Sequence, residues 1–167
     1  MSGTRGSGFG SRLAATGGGG RSAMPWRHPA PADLLGYAGL IPFVGLAALS
    51  AFGLGWAERS ATYYGAAILS FLGAVHWGVA LRALDDEADL DWARLGLGVL
   101  PSLVGWAALS VFGPTGTAAG VIALAILATN AVEAFGGMRG AVASSWLKLR
   151  WQLSAGAALA LGVVATF

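Results

Sequence analysis

The sequence contains no cysteine, so disulfides, thiolate metal centres and cysteine nucleophiles are excluded. Charge is scarce as well. Asp, Glu, Lys and Arg make up 11% of the residues, against about a quarter in an ordinary soluble domain. Histidine occurs only at His28 and His76, too few for a protein-built zinc site or a bis-histidine haem between helices. Paired carboxylates inside apolar runs are missing too. These absences place an integral membrane enzyme last among the functional readings, and no cofactor or metal is expected.

What is present is apolar. Of the 167 residues 56% are hydrophobic, and the mean hydropathy is +0.66. The stretch from Ala61 to Leu81 carries no formal charge, which is long enough to cross a bilayer. Net charge is +2. The basic residues sit at the ends of apolar runs and form no single patch, so a nucleic-acid partner is not expected. Lipid is the solvent this composition implies.

Residues 1–33 form a tail rich in Gly, Ser and Arg, with Gly17-Gly18-Gly19-Gly20 and no acid before Asp33. Such a stretch has little apolar surface to offset ordering entropy, and disorder is expected. A flexible cytoplasmic tail and an organellar transit peptide both share this composition. Residues 34–167 read as a polytopic membrane domain with helices over about 33–56, 61–84, 92–112, 117–135 and 151–167. The expected fold is therefore an all-α membrane protein, a five-helix transmembrane bundle.

Two prolines, Pro42 and Pro101, fall inside helices and are expected to kink them. Gly36, Gly39 and Gly45 offer close approach to a neighbouring helix. Asp85, Asp86, Glu87, Asp89 and Asp91 lack the Gly and terminal Glu of a calcium loop and read as a solvated acidic turn. Trp146, Lys148, Arg150 and Trp151 read as interface anchors before the last helix. Trp77 and Trp106 fall within spans and are expected to pack.

The run Leu40-Ile41-Pro42 through Phe52-Gly53 aligns with Leu100-Pro101 through Phe112-Gly113 after one inserted residue. This alignment suggests two parallel helical-hairpin repeats plus a C-terminal helix, with chance similarity between low-complexity helices as the rival explanation. Counted by loop, Lys and Arg number nine on the side of the N-terminal tail and one, Arg59, on the other. The positive-inside rule then puts the N-terminus in the cytoplasm and the C-terminus outside.

Ionisable groups at membrane depth are functional candidates. His76 shares a helix face with Gly65, Leu69, Leu72 and Gly73, so it is expected to point into protein. Asn130 and Glu133 lie near the same end of the fourth helix. Together with Trp77, Arg82 and Arg150 they form a candidate polar cluster facing the cytoplasm. A His–Glu pair there suits proton relay, because imidazole titrates near neutral pH. A purely structural role also fits, with His76 bonded across a helix pair and Glu133 paired with Arg139.

The residues Tyr64-Gly65…Ile68-Leu69-Ser70-Phe71-Leu72-Gly73…His76-Trp77-Gly78 resemble the signature of the transmembrane protein 69-like family, domain of unknown function 3429. Gly39-Leu40-Ile41-Pro42-Phe43, Leu100-Pro101-Ser102-Leu103…Trp106 and Leu149-Arg150 extend the resemblance, which covers about Leu35 to Phe167. It implies a multi-pass protein of a bacterial or mitochondrial inner membrane and assigns no catalytic role to any residue. The leading expectation is a structural, accessory or assembly component acting through helix–helix contacts, in a larger membrane complex or a homo-oligomer. The alternative is a small transporter or proton-coupled carrier using the His/Glu pair.

Overall fold

The apolar runs form helices because a chain in lipid must satisfy every backbone polar group internally. In the structure, a computed structural model that describes residues 30–83, 92–135 and 144–167, six helical segments build five rods. They are α1 (Ala30–Ala38), α2 (Leu40–Ala51), α3 (Gly55–Ala83), α4 (Trp92–Phe112), α5 (Gly116–Phe135) and α6 (Ser144–Val164). Three stretches are long and apolar enough to cross a membrane: Asp33–Ala51, Leu95–Phe112 and Gly116–Phe135. The 29 residues of α3 and 21 of α6 also reach bilayer length, at about 1.5 Å per residue. Both carry charges toward their ends. The fold is a five-rod helical membrane bundle, with no strand among the described residues.

The first rod breaks where its sequence demands. Pro42 has no N–H to give the carbonyl of Ala38, four residues earlier. The helix is interrupted at Gly39, whose N–H bonds Leu35 O at 3.0 Å and Gly36 O at 3.1 Å. The carbonyl of Gly39 accepts from the Tyr64 hydroxyl at 3.0 Å, and the Tyr64 ring lies against Phe43 with centroids 4.7 Å apart. Pro101 lies inside α4, which is helical on both sides of it. Its ring is buried beside Gly73 of α3, so packing holds the helix where a hydrogen bond is lost.

Helix ends also depart from the sequence reading. The first rod stops at Ala51, not Trp56, because Gly53 adopts φ 80° and closes the helix with its N–H on Ser50 O at 2.8 Å. Trp56, Glu58, Arg59 and Ser60 consequently belong to the opening turns of α3 and not to a loop. The last helix begins at Ser144, seven residues before Trp151. Of the expected tail, only Ala30–Asp33 is described, and it opens α1. The acidic segment 85–91, Gly136-Gly137 and Arg139 lie outside the described residues.

Within the bundle α3 is central and touches α2, α4, α5 and α6. The buried contacts are mostly small or branched: Ala57, Ala61, Leu69, Ala118, Ala119, Ile122, Ile126 and Leu161. Small residues let backbones approach where lipid supplies no hydrophobic drive. Gly65 is enclosed by Leu161 and Ile122, and Gly36 by Leu153, whereas Gly45 faces open space. Large apolar side chains such as Phe52, Phe71, Leu124 and Leu159 point outward, as a lipid-facing surface requires.

Two contacts fix the direction of the rods. Near the start of α3 and α5, Glu58 Oε1 accepts from the N–H of Gly116 at 2.7 Å. About 26 Å further along both helices, His76 lies beside Glu133. Thus α3 and α5 run parallel. The α6 rod runs against them, placing Arg150 at Glu133 and Ala165 at Gly116. Both hairpins, α2–α3 and α4–α5, turn at a left-handed glycine after Phe, Gly53 and Gly113, in keeping with the Phe-Gly register of the repeat alignment.

A buried charge cluster as the candidate functional site

Three rods converge on one carboxylate. Glu133 occupies the last turn of α5 and is 1% exposed. Arg150 donates from Nη2 to Glu133 Oε1 in a short, fully enclosed ion pair. His76 of α3 brings Nδ1 to within 3.7 Å of the same oxygen, at ion-pair range if the imidazole is protonated. Asn130, one turn before Glu133, is equally buried.

Local sequence explains each placement. Asn130 and Glu133, three apart on α5, share a face with Ile126, which packs in the core. His76 follows Leu69 and Gly73 along the buried face of α3. Because α6 begins at Ser144, Arg150 already sits in a formed helix and turns inward. The anchor role expected of Arg150 is therefore corrected: Lys148 is exposed, while Arg150 is buried. The partner expected for Glu133 was Arg139, which lies outside the described residues; the one it shows is Arg150.

A lone carboxylate or guanidinium in a low-dielectric interior is costly, and mutual pairing offsets much of that cost. The Glu133–Arg150 pair is formally neutral. It is incompletely satisfied, because Glu133 Oε2, Arg150 Nε and Asn130 Nδ2 have no hydrogen-bond partner among the described residues. All three atoms are closed off by the surrounding protein. No group of three or more candidate ligands able to hold a metal occurs among the described residues.

A family model described as a protein of unknown function (DUF3429) matches residues 28–166. The chain belongs to this family. Transmembrane protein 69 of Xenopus tropicalis is 44% identical over 84 residues, which cover 48% of this chain and 33% of that protein. The match thus spans about a third of the relative's length. No solved structure matches the chain. The relative and the apolar helices agree on a membrane protein.

In this DUF3429 chain the His76-Trp77 motif serves two different contacts. His76 faces the charge cluster. Trp77 points the other way and is 44% exposed. Its Nε1 donates to Leu95 O of α4 at 3.2 Å, and its ring lies against Gly98. Gly98 in turn packs on the backbone of Gly73, so α3 and α4 nearly touch. Trp77 is thus a latch on α4 and does not join the cluster. Arg82 sits in the last turns of α3, and its side chain lies outside the described set. Pro42 and Pro101 line no part of the Glu133 pair.

Sequence reasoning missed one buried hydroxyl and two polar contacts. Ser154 is buried one turn beyond Arg150, a position that four-residue spacing on one face would have flagged. Tyr37 donates to Gln152 Oε1 at 2.7 Å, tying α1 to α6. Glu58 caps α5 across the bundle. Nothing local in the sequence announces the last two, because their partners lie far away in the chain.

Proposed function

We propose that this DUF3429 protein is an accessory or assembly component of a membrane complex or homo-oligomer, acting through helix–helix contacts and not as an enzyme. The observation that carries the reading is Trp106. It is 68% exposed on α4, about 9 Å inside the helix end. Tryptophan belongs at membrane interfaces, where its N–H finds water. A tryptophan facing outward at this depth suits a protein neighbour better than lipid. With Leu103 and Val99 it forms an exposed stripe on α4, whose main packing among the described residues is on α3 and α5. The charge cluster is closed inward and on this reading locks three rods together.

The test is migration on a native gel after extraction in mild detergent. The wild type should run well above its protomer mass of 16.8 kDa, and Trp106→Ala should collapse it toward that mass. A wild type that runs as a protomer refutes the proposal. The proposed location is the bacterial inner membrane, or the mitochondrial inner membrane in a eukaryote, with the start of α1 cytoplasmic and Phe167 outside. The nine-to-one distribution of Lys and Arg supports it. A cytoplasm-only reporter fused after Phe167 that proves active overturns it.

A second reading, a proton-coupled carrier, is favoured by one feature. The cluster stands between two recesses: His76 lines one between α4 and α5, and Arg150 lines another between α1, α3 and α6. His76→Ala and Glu133→Gln should each abolish flux in proteoliposomes. Unchanged flux in both removes this reading.

A further inference from the structure

Counting back from the two Phe-Gly turns, a line of residues on α2 matches a line on α4. Ile41, Gly45, Ala48 and Phe52 stand opposite Pro101, Gly105, Ala108 and Phe112. The shared spacing keeps each line on one helix face. On α4 that face is covered: Pro101, Gly105 and Ala108 are buried, with Pro101 beside Gly73 of α3 and Gly105 on Ala66. On α2 the matching face is bare. All four of its residues are exposed, and a Cβ at Gly45 would meet no atom within 4 Å among the described residues. The face that α2 buries is another one, formed by Phe43, Ala47 and Ser50.

The bare face has a shape. Gly45 and Ala48 are small, whereas Ile41 and Phe52 on either side are large and 70% and 82% exposed. They form a saddle on α2. In lipid, helices associate by close packing at small residues, and the matching line on α4 shows such packing within the chain. A tryptophan seated on a glycine of a neighbouring rod also occurs there, since the Trp77 ring lies against Gly98.

We infer that Trp106 of one copy seats in the Gly45–Ala48 saddle on α2 of a second copy. This names the partner for the reading that Trp106 meets a protein neighbour, and it rests on that reading. Depth argues for a second copy. The rods α2 and α4 run parallel, because each leads through a glycine turn at the same end of the bundle into the parallel rods α3 and α5. Measured from those turns, Trp106 lies about 11 Å deep, between Ala48 at about 8 Å and Gly45 at about 12 Å. Copies inserted with one orientation share this depth scale, so knob and saddle meet at one level. Knob and saddle are different surfaces, and the contact therefore runs head to tail, each copy giving one Trp106 and receiving another.

The chain has no cysteine, so introduced thiols report this contact without background. Ser110→Cys lies one turn from Trp106 on α4, and Ala48→Cys lies in the saddle. The two full-length single variants, with different tags, are co-expressed and oxidised in native membranes. A disulfide-linked band carrying both tags is expected, and an internal link cannot produce it. Gly45→Leu fills the saddle but enters open space in the protomer. It should keep wild-type helicity and melting temperature in detergent, yet run at protomer mass on the native gel. Absence of the mixed band, linkage of Ala48→Cys to itself in its place, or a Gly45→Leu variant that assembles like wild type overturns the contact. If Trp106→Ala still collapses the assembly in that case, the accessory reading stands with a different neighbour. A protomeric wild type removes that reading and this contact together.

Discussion

The two ends of the bundle solve the same problem in opposite ways. At the Gly116 end a single carboxylate, Glu58, meets a helix N-terminus, where orphan N–H groups and the helix dipole already favour negative charge. The cation nearby in sequence, Arg59, stays exposed and takes no part. At the Glu133 end the carboxylate meets a full countercharge, Arg150, in a region closed to solvent, with His76 alongside. The first arrangement needs one ionised group and no exact partner geometry. The second needs three rods in register before any of it is favourable. One end is a cap, tolerant of error; the other is a lock.

That contrast can be broken in order of size. Glu133→Ala leaves the guanidinium of Arg150 buried and unpaired, and should cost about 3–5 kcal/mol in detergent unfolding followed by circular dichroism. Glu133→Ala combined with Arg150→Met should recover most of that loss, because an apolar pair of similar bulk often matches a buried ion pair. A double variant as unstable as the single one would show that the cluster contributes more than charge balance. Gly73→Ala sets a methyl against the backbone of Gly98 and should cost about 1–3 kcal/mol by the same assay, with Trp77 displaced from α4. Glu58→Ala should cost about 1 kcal/mol, the usual loss of an N-terminal cap. If it costs as much as Glu133→Ala, the distinction between the ends fails. Gly45→Ala, in open space on α2, should raise stability by less than about 1 kcal/mol.

Much of the architecture was legible in the sequence because membrane spans are written in composition and length. The break before Pro42 followed from a missing N–H. Residues 92–112 form a helix to the residue, and α5 begins one residue earlier than its pattern implied. The turn at Gly53 was misread, since apolar residues continue through it and only the left-handed backbone betrays it. Pro101 was placed inside its helix by the pattern, and there it packs on α3 beside Gly73. The convergence of His76 and Glu133 was anticipated from depth and helix face. Arg150 was anticipated for the neighbourhood, but its inward turn was not. Its flanking Trp and Lys read as an interface, and two serines and two cations among Ser144–Arg150 cut short the apolar run that would have put it on α6. Trp106 was expected to pack, yet it is 68% exposed among the described residues.

The ion pair joins α6 to the rod synthesised just before it, and this orders the birth of the bundle. When α5 enters the bilayer, Glu133 arrives with no cation yet available from α6. Arg150 entering alone would face an insertion cost of about 2.5–3.5 kcal/mol. Each makes the other's entry tolerable, so α5 and α6 should leave the translocation machinery as a couple. A chain truncated after Phe135 would strand a carboxylate and should be cleared by membrane quality control.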